Sequence, residues 1–152
     1  MRARRIGAVI GILGVLLAVP VASVAAASET VITIDVTFGG PEYFTATGGV
    51  VCDSGTAVSD PEFANFGGSK NRGVFTFHLT KTLTCDDGSG TFKLLVNASA
   101  SPNSPGTIGG FAAGMGTGDY EGLHGGGSLV GTGREDGTGI LDVYTGMLTI
   151  AP

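Results

Sequence analysis

Positive charge is scarce in this sequence. It holds eight Lys and Arg residues, and three of them (Arg2, Arg4, Arg5) crowd the first five positions. After residue 27 five basic residues remain (Lys70, Arg72, Lys81, Lys93, Arg134) against thirteen acidic ones, a net charge of −8. Such a balance excludes nucleic acid and anionic membrane surfaces as partners. Cysteine and histidine are also few: Cys52, Cys85, His78 and His124 are all there are. A zinc site needs more, and neither cysteine stands in a C-x-x-C motif that would make it a reactive thiol. No G-x-S-x-G elbow is present, so an α/β-hydrolase nucleophile has no support. The G-x-G stretches at 116–118 and 131–133 are followed by no helical pattern that could hold a phosphate at its N-terminus. From these absences the expectation is no metal, no cofactor and no catalytic set legible in the sequence.

The chain opens with a positive n-region, an apolar stretch from Ile6 to Val19, the breaker Pro20 and a small-residue run Ala25-Ala26-Ala27. In that order these parts read as a secretory signal peptide over 1–27, with Ser28 as the mature N-terminus and one domain over 28–152. The apolar run is short for a helix that must span a bilayer. The expected product is therefore secreted and extracellular, with no membrane association after cleavage. In an oxidising compartment an isolated cysteine pair bridges, so Cys52 and Cys85 are expected to form a disulfide worth roughly 3–4 kcal/mol by loop-closure entropy.

Glycine is abundant. Of 28 glycines, 25 follow residue 27, and no collagen-like period runs through them. Between them the pattern is period two. Ile32, Ile34, Val36 and Phe38 alternate with polar residues, which predicts a strand over 30–38. Further strands are expected over 45–52, with Gly48 and Gly49 as a bend, over 73–83, where Phe75, Phe77 and Leu79 alternate with Thr76, His78 and Thr80, and over 91–98. Asp53 to Asn71 is punctuated by Gly, Pro, Asn and Ser and reads as a long loop from which Phe63 and Phe66 tuck into the core. Another loop is expected over 99–106. The runs 110–117, 123–132 and 138–150 complete the set, joined by turns at 118–122 and 133–137.

Seven or eight short strands without a helical period mean an all-β domain, a sandwich or a barrel. If the hairpin is symmetric about Tyr120, Phe111 faces Leu129, Ala113 faces Gly127 and Met115 faces Gly125. Large residues opposite small ones, beside a nearly bare glycine face, suit tight curvature. A single antiparallel β-barrel of about eight strands accounts for this better than a flat sandwich. Its interior would be lined by Ile32, Ile34, Val36, Phe75, Phe77, Leu79, Phe92, Leu94, Val96, Phe111 and Met115. Such a barrel is either filled by side chains or holds one small ligand.

The segment G-T-G-D-Y-E-G-L-H-G-G-G at 116–127 resembles the hairpin of allene oxide cyclase-like and dirigent-like β-barrels, including small secreted bacterial members. K-T-L-T-C-D-D-G-S-G-T-F at 81–92 and Y-T-G-M-L at 144–148 are similar to segments that occur there in the same order. The resemblance covers roughly residues 30–150. It implies an eight-stranded antiparallel barrel, an interior that takes a lipophilic small molecule, and a homo-oligomer, a trimer in many relatives. No polar cavity residue of those families is matched to a position here, so neither cyclisation nor radical coupling carries over.

Other polar residues read as surface. His78 falls on the outer face of its strand. His124 follows a charged turn with Asp119 and Glu121, where acid-base work would need a pairing that a solvated turn does not supply. Asp86, Asp87 and Ser89 lack the spacing and closing Glu of an EF-hand. Asn97-Ala98-Ser99 matches a glycosylation sequon, a pattern short enough to arise by chance.

Three functions fit: non-catalytic binding of a small hydrophobic molecule, a cyclase- or dirigent-like enzyme using the same cavity, or an extracellular structural protein assembling through its bare glycine face. A ligand-sized cavity separates the first two from the third. An Asp, Glu, Asn or Tyr buried in it beside a tuning neighbour favours the enzyme over the binder.

Overall fold

The computed structural model describes residues 26–69, 74–101 and 104–152; the side chains of 61–69, 101, 104 and 105 stand outside that description. The signal-peptide reading falls on residues almost all outside the described ones, and so does the placement of the Phe63 and Phe66 side chains. Among the described residues there are eight strands: β1 (Ser28–Thr37), β2 (Glu42–Thr47), β3 (Ser54–Ser69), β4 (Val74–Cys85), β5 (Gly90–Ser101), β6 (Ser104–Gly118), β7 (Leu123–Gly133) and β8 (Gly139–Ile150). Each pairs antiparallel with its sequence neighbour, and β8 pairs with β1. The sheet is thus a closed antiparallel barrel.

Alternation drives the interior. Ile32 and Ile34 of β1, Phe44 and Ala46 of β2, Leu83 of β4, Phe92, Leu94 and Val96 of β5, Leu129 of β7 and Tyr144 and Leu148 of β8 are all buried. At the end of the barrel where β1 begins and β4 stops, Phe92 stacks edge-on against Phe44 (6.0 Å between centroids) and against Tyr120 (5.5 Å). The Cys52–Cys85 disulfide closes this end, linking the β2–β3 connection to the last residue of β4. Each large side chain buried here contributes about 1.5–3 kcal/mol of transfer free energy.

The structure revises several boundaries. The long loop expected over 53–71 is strand β3 for most of its length. Its ladder with β4 shifts register between Asp60 and Asn65, and Pro61 falls inside that shift, where a residue without an N–H breaks no ladder bond. The strand expected over 45–52 lies earlier, at Glu42–Thr47. Gly48 (φ +111°) and Gly49 (φ +72°) turn the chain after it, a conformation that L side chains rarely adopt. The loop expected over 99–106 is mostly strand too, for β5 runs to Ser101 and β6 starts at Ser104.

The β6–β7 hairpin pairs two residues out of the register expected from symmetry about Tyr120. Phe111 faces Gly127 and Ala113 faces Gly125. Because the offset is even, the pairing of large against small survives it. A β-carbon on Gly127 would collide with the Thr145 carbonyl, and one on Gly146 would lie 3.0 Å from Phe111 Cζ. The bare Gly146 leaves room for the Phe111 ring, which meets Tyr144 edge-on at 5.4 Å.

Candidate functional site

At the end opposite the disulfide the described side chains leave a space. A cavity of about 400 Å³ lies there, walled by Val36, Phe38, Phe77, Leu79, Val96 and Ile140. Phe38 is both a wall residue and largely exposed, which puts it at the mouth. The polar wall residues are Glu42, Ser59, Asp60, Lys81, Thr107, Asp142 and Tyr144.

Strand parity places these groups. Lys81 stands on the same face of β4 as Phe77, Leu79 and Leu83, so alternation turns it inward, and it is 3% exposed. Ser59 is its direct partner across the β3–β4 ladder. Lys81 Nζ donates to Glu42 Oε2 at 2.7 Å and to Ser59 Oγ at 2.9 Å, while Ser59 Oγ donates to Glu42 Oε1 at 3.2 Å. A lysine buried this deeply needs such a partner, because an uncompensated charge in low dielectric costs several kcal/mol.

Asp142 and Tyr144 face inward from β8. The Tyr144 hydroxyl donates to Asp142 Oδ2 at 3.4 Å. Asp142 Oδ1 is buried and has no hydrogen-bond partner. It leans over Gly131, its cross-strand neighbour on β7, beside Thr107 and Ile140. Burial raises the Asp142 carboxyl above its ordinary 3.8; the nearby Lys81 charge and the Tyr144 hydrogen bond pull the other way. Burial also pushes the Tyr144 hydroxyl far up, reinforced by the Asp142 charge, so it remains a neutral donor. Together these groups make a hydrogen-bonding cluster at one end of an apolar chamber. It can orient the polar end of a ligand and can hold a proton on Asp142.

No family model, no curated protein and no solved structure matches this chain.

Of the residues expected to line the interior, Val36, Phe77, Leu79 and Val96 border the cavity. Ile32, Ile34, Phe92, Leu94 and Phe111 are buried in the packed core instead. Two expectations are corrected. Phe75 has the inward parity of Phe77, but it stands at the start of β4, where little covers it, and it is 58% exposed. Met115 is 57% exposed because Met115 and Gly116 together oppose Phe92 in a β-bulge, and the extra residue reverses the alternation. Its φ of +50° is unusual for a residue with a side chain.

The outlying polar residues take local partners. His78 pairs with Asn97 on the outside, and His124 Nδ1 lies 2.9 Å from the Gly122 carbonyl oxygen. Asp87 accepts from Ser89 N (2.9 Å) and Ser89 Oγ (2.5 Å), a turn that lowers its pKa. Among the described residues no three His, Cys, Asp or Glu side chains are grouped to hold a metal ion.

Sequence reasoning missed the polar cluster. Lys81 carried a usable signal, a charged residue at the inward parity of an otherwise apolar strand face. Asp142 and Tyr144 carried the same signal, two and four residues on from Ile140. Glu42 and Ser59 carried none, since Glu42 fell between two expected strands and Ser59 in the loop expected from Asp53 to Asn71.

Proposed function

We propose that this is an exported protein that binds a small hydrophobic molecule in the open half of its barrel. The observation that carries the reading is the chamber itself: about 400 Å³, apolar on most sides, with Lys81, Asp142 and Tyr144 at its polar end. That volume and that division of apolar wall from a few convergent polar groups are characteristic of small-molecule sites. The disulfide supports an oxidising destination. The resemblance to allene oxide cyclase-like and dirigent-like barrels agrees with a lipophilic ligand and stays a proposal.

A second reading is favoured by one specific observation. Asp142 is a buried acid with a raised pKa and a Tyr144 neighbour, and it meets the criterion set for a cyclase- or dirigent-like enzyme acting in the same cavity. Binding comes first because either activity requires it.

Native mass spectrometry of protein collected from the culture medium tests the proposal. The expected spectrum shows a chain beginning at Ser28, two daltons lighter than its reduced form, with a retained organic adduct or with saturable uptake of an added lipophilic probe. A chain found in the cells with residues 1–27 still attached would end the export reading. A ligand-free barrel that takes up no probe would end the binding reading.

A further inference from the structure

Three carboxylates line the polar end of the cavity. Asp60 has interactions of its own, and Glu42 pairs with Lys81, the single basic group among the described residues there. Lys81 is already engaged, with one hydrogen bond to Glu42 and one to Ser59. Asp142 is different. It is 9% exposed, it lines the chamber, and its Oδ1 has no partner. A buried carboxylate oxygen left unpaired is costly, and a donor brought by a ligand would relieve it. The cavity walls also carry the aromatic rings of Phe38, Phe77 and Tyr144, a side-chain type that attracts cations through its ring quadrupole.

We infer that the cavity selects lipophilic cations, with an organic ammonium donating to Asp142 and its apolar body lying against Phe77, Leu79 and Ile140. The inference rests on the cavity-binding reading and adds the head group. An ammonium sets a positive charge beside Asp142 and gives it a charge-assisted hydrogen bond. A carboxylate ligand would instead bring a further negative charge to a site whose one cation is spoken for. A neutral alcohol can donate to Asp142 but gains no charge compensation.

The test uses three probes with one apolar body, 4-phenylbutylammonium, 4-phenylbutanol and 4-phenylbutanoate, titrated calorimetrically into the oxidised full chain at pH 7.5 and fixed ionic strength. The ammonium is expected to bind at least about tenfold more tightly than the alcohol, with the carboxylate weakest. In Asp142→Asn the ammonium should lose most of that advantage while alcohol binding changes little. The wild-type ranking stands as a test even if that variant does not fold. A carboxylate that binds as well as the ammonium, or an ammonium preference that survives Asp142→Asn, overturns the inference and leaves the cavity reading intact. Failure of all three probes to bind overturns both.

Discussion

Asp142 and Gly131 stand opposite each other on β8 and β7, and the Asp142 carboxylate fills the space where a side chain on Gly131 would begin. Thr107 Cβ would lie 3.0 Å from that same added atom. Gly131 therefore serves neither a turn nor a bend. It makes room inside the barrel for an acid. Gly131→Ala should force the carboxylate or the strand aside and destabilise the fold by about 1–3 kcal/mol. In urea denaturation the double change Gly131→Ala, Asp142→Ala should recover part of the loss, the mark of two residues in contact. Simple additivity of the two losses would show that the two positions do not compete for space.

In the Lys81–Glu42 pair the lysine is buried and the glutamate half-buried, with side chains 4% and 14% exposed. Replacing Lys81 with Met strands Glu42 among apolar walls, at an expected cost of about 3–5 kcal/mol. Adding Glu42→Gln should return much of that stability. The readout is the urea midpoint of the three variants, and a Lys81→Met protein as stable as the parent would mean that the pair is solvated.

Asp142 sets a pH dependence whose sign follows from its raised pKa. Because the folded protein binds this proton more tightly than the unfolded chain does, the contribution is fully present below the ordinary 3.8. It is lost as pH rises through the folded value. Asp142→Asn, which cannot ionise, should therefore be more stable than the parent at pH 7, and the difference should shrink as pH falls towards 3.8. Urea midpoints of both proteins across that range decide it; a gap that widens on acidification contradicts the burial argument.

The disulfide spans 33 residues of chain separation. Cys52→Ala with Cys85→Ala should lower stability by about 3–4 kcal/mol, most of it through the unfolded ensemble. Reduction of the parent should reproduce the loss, while far-ultraviolet circular dichroism of whatever remains folded keeps its β signature. A double variant with an unchanged urea midpoint would show that the bridge does not constrain the unfolded chain.

Much of the barrel was legible because period two is a local property. The faces of Ile32 and Ile34, of Phe77 and Leu79, and of Phe92, Leu94 and Val96 are those their alternation predicts. The errors arose where a local sign was ambiguous. Pro61 and the surrounding Gly, Asn and Ser read as loop, yet a register shift absorbs them within β3. Met115 kept the rhythm of Phe111 and Ala113 in the sequence, and a bulge, which depends on the facing strand, turned it outward.

The sequence by itself determined an all-β chain, which faces of its strands are apolar, and the two cysteines available to be joined, since each follows from residue type and spacing along one strand. Only the tertiary structure decided that Glu42, Ser59, Lys81, Asp142 and Tyr144 share one chamber. They come from four strands, β2, β3, β4 and β8, and their meeting depends on inter-strand register and on closure of β8 against β1. Register and closure are properties of pairs of strands, fixed by the packing of the whole barrel, and no single strand carries them.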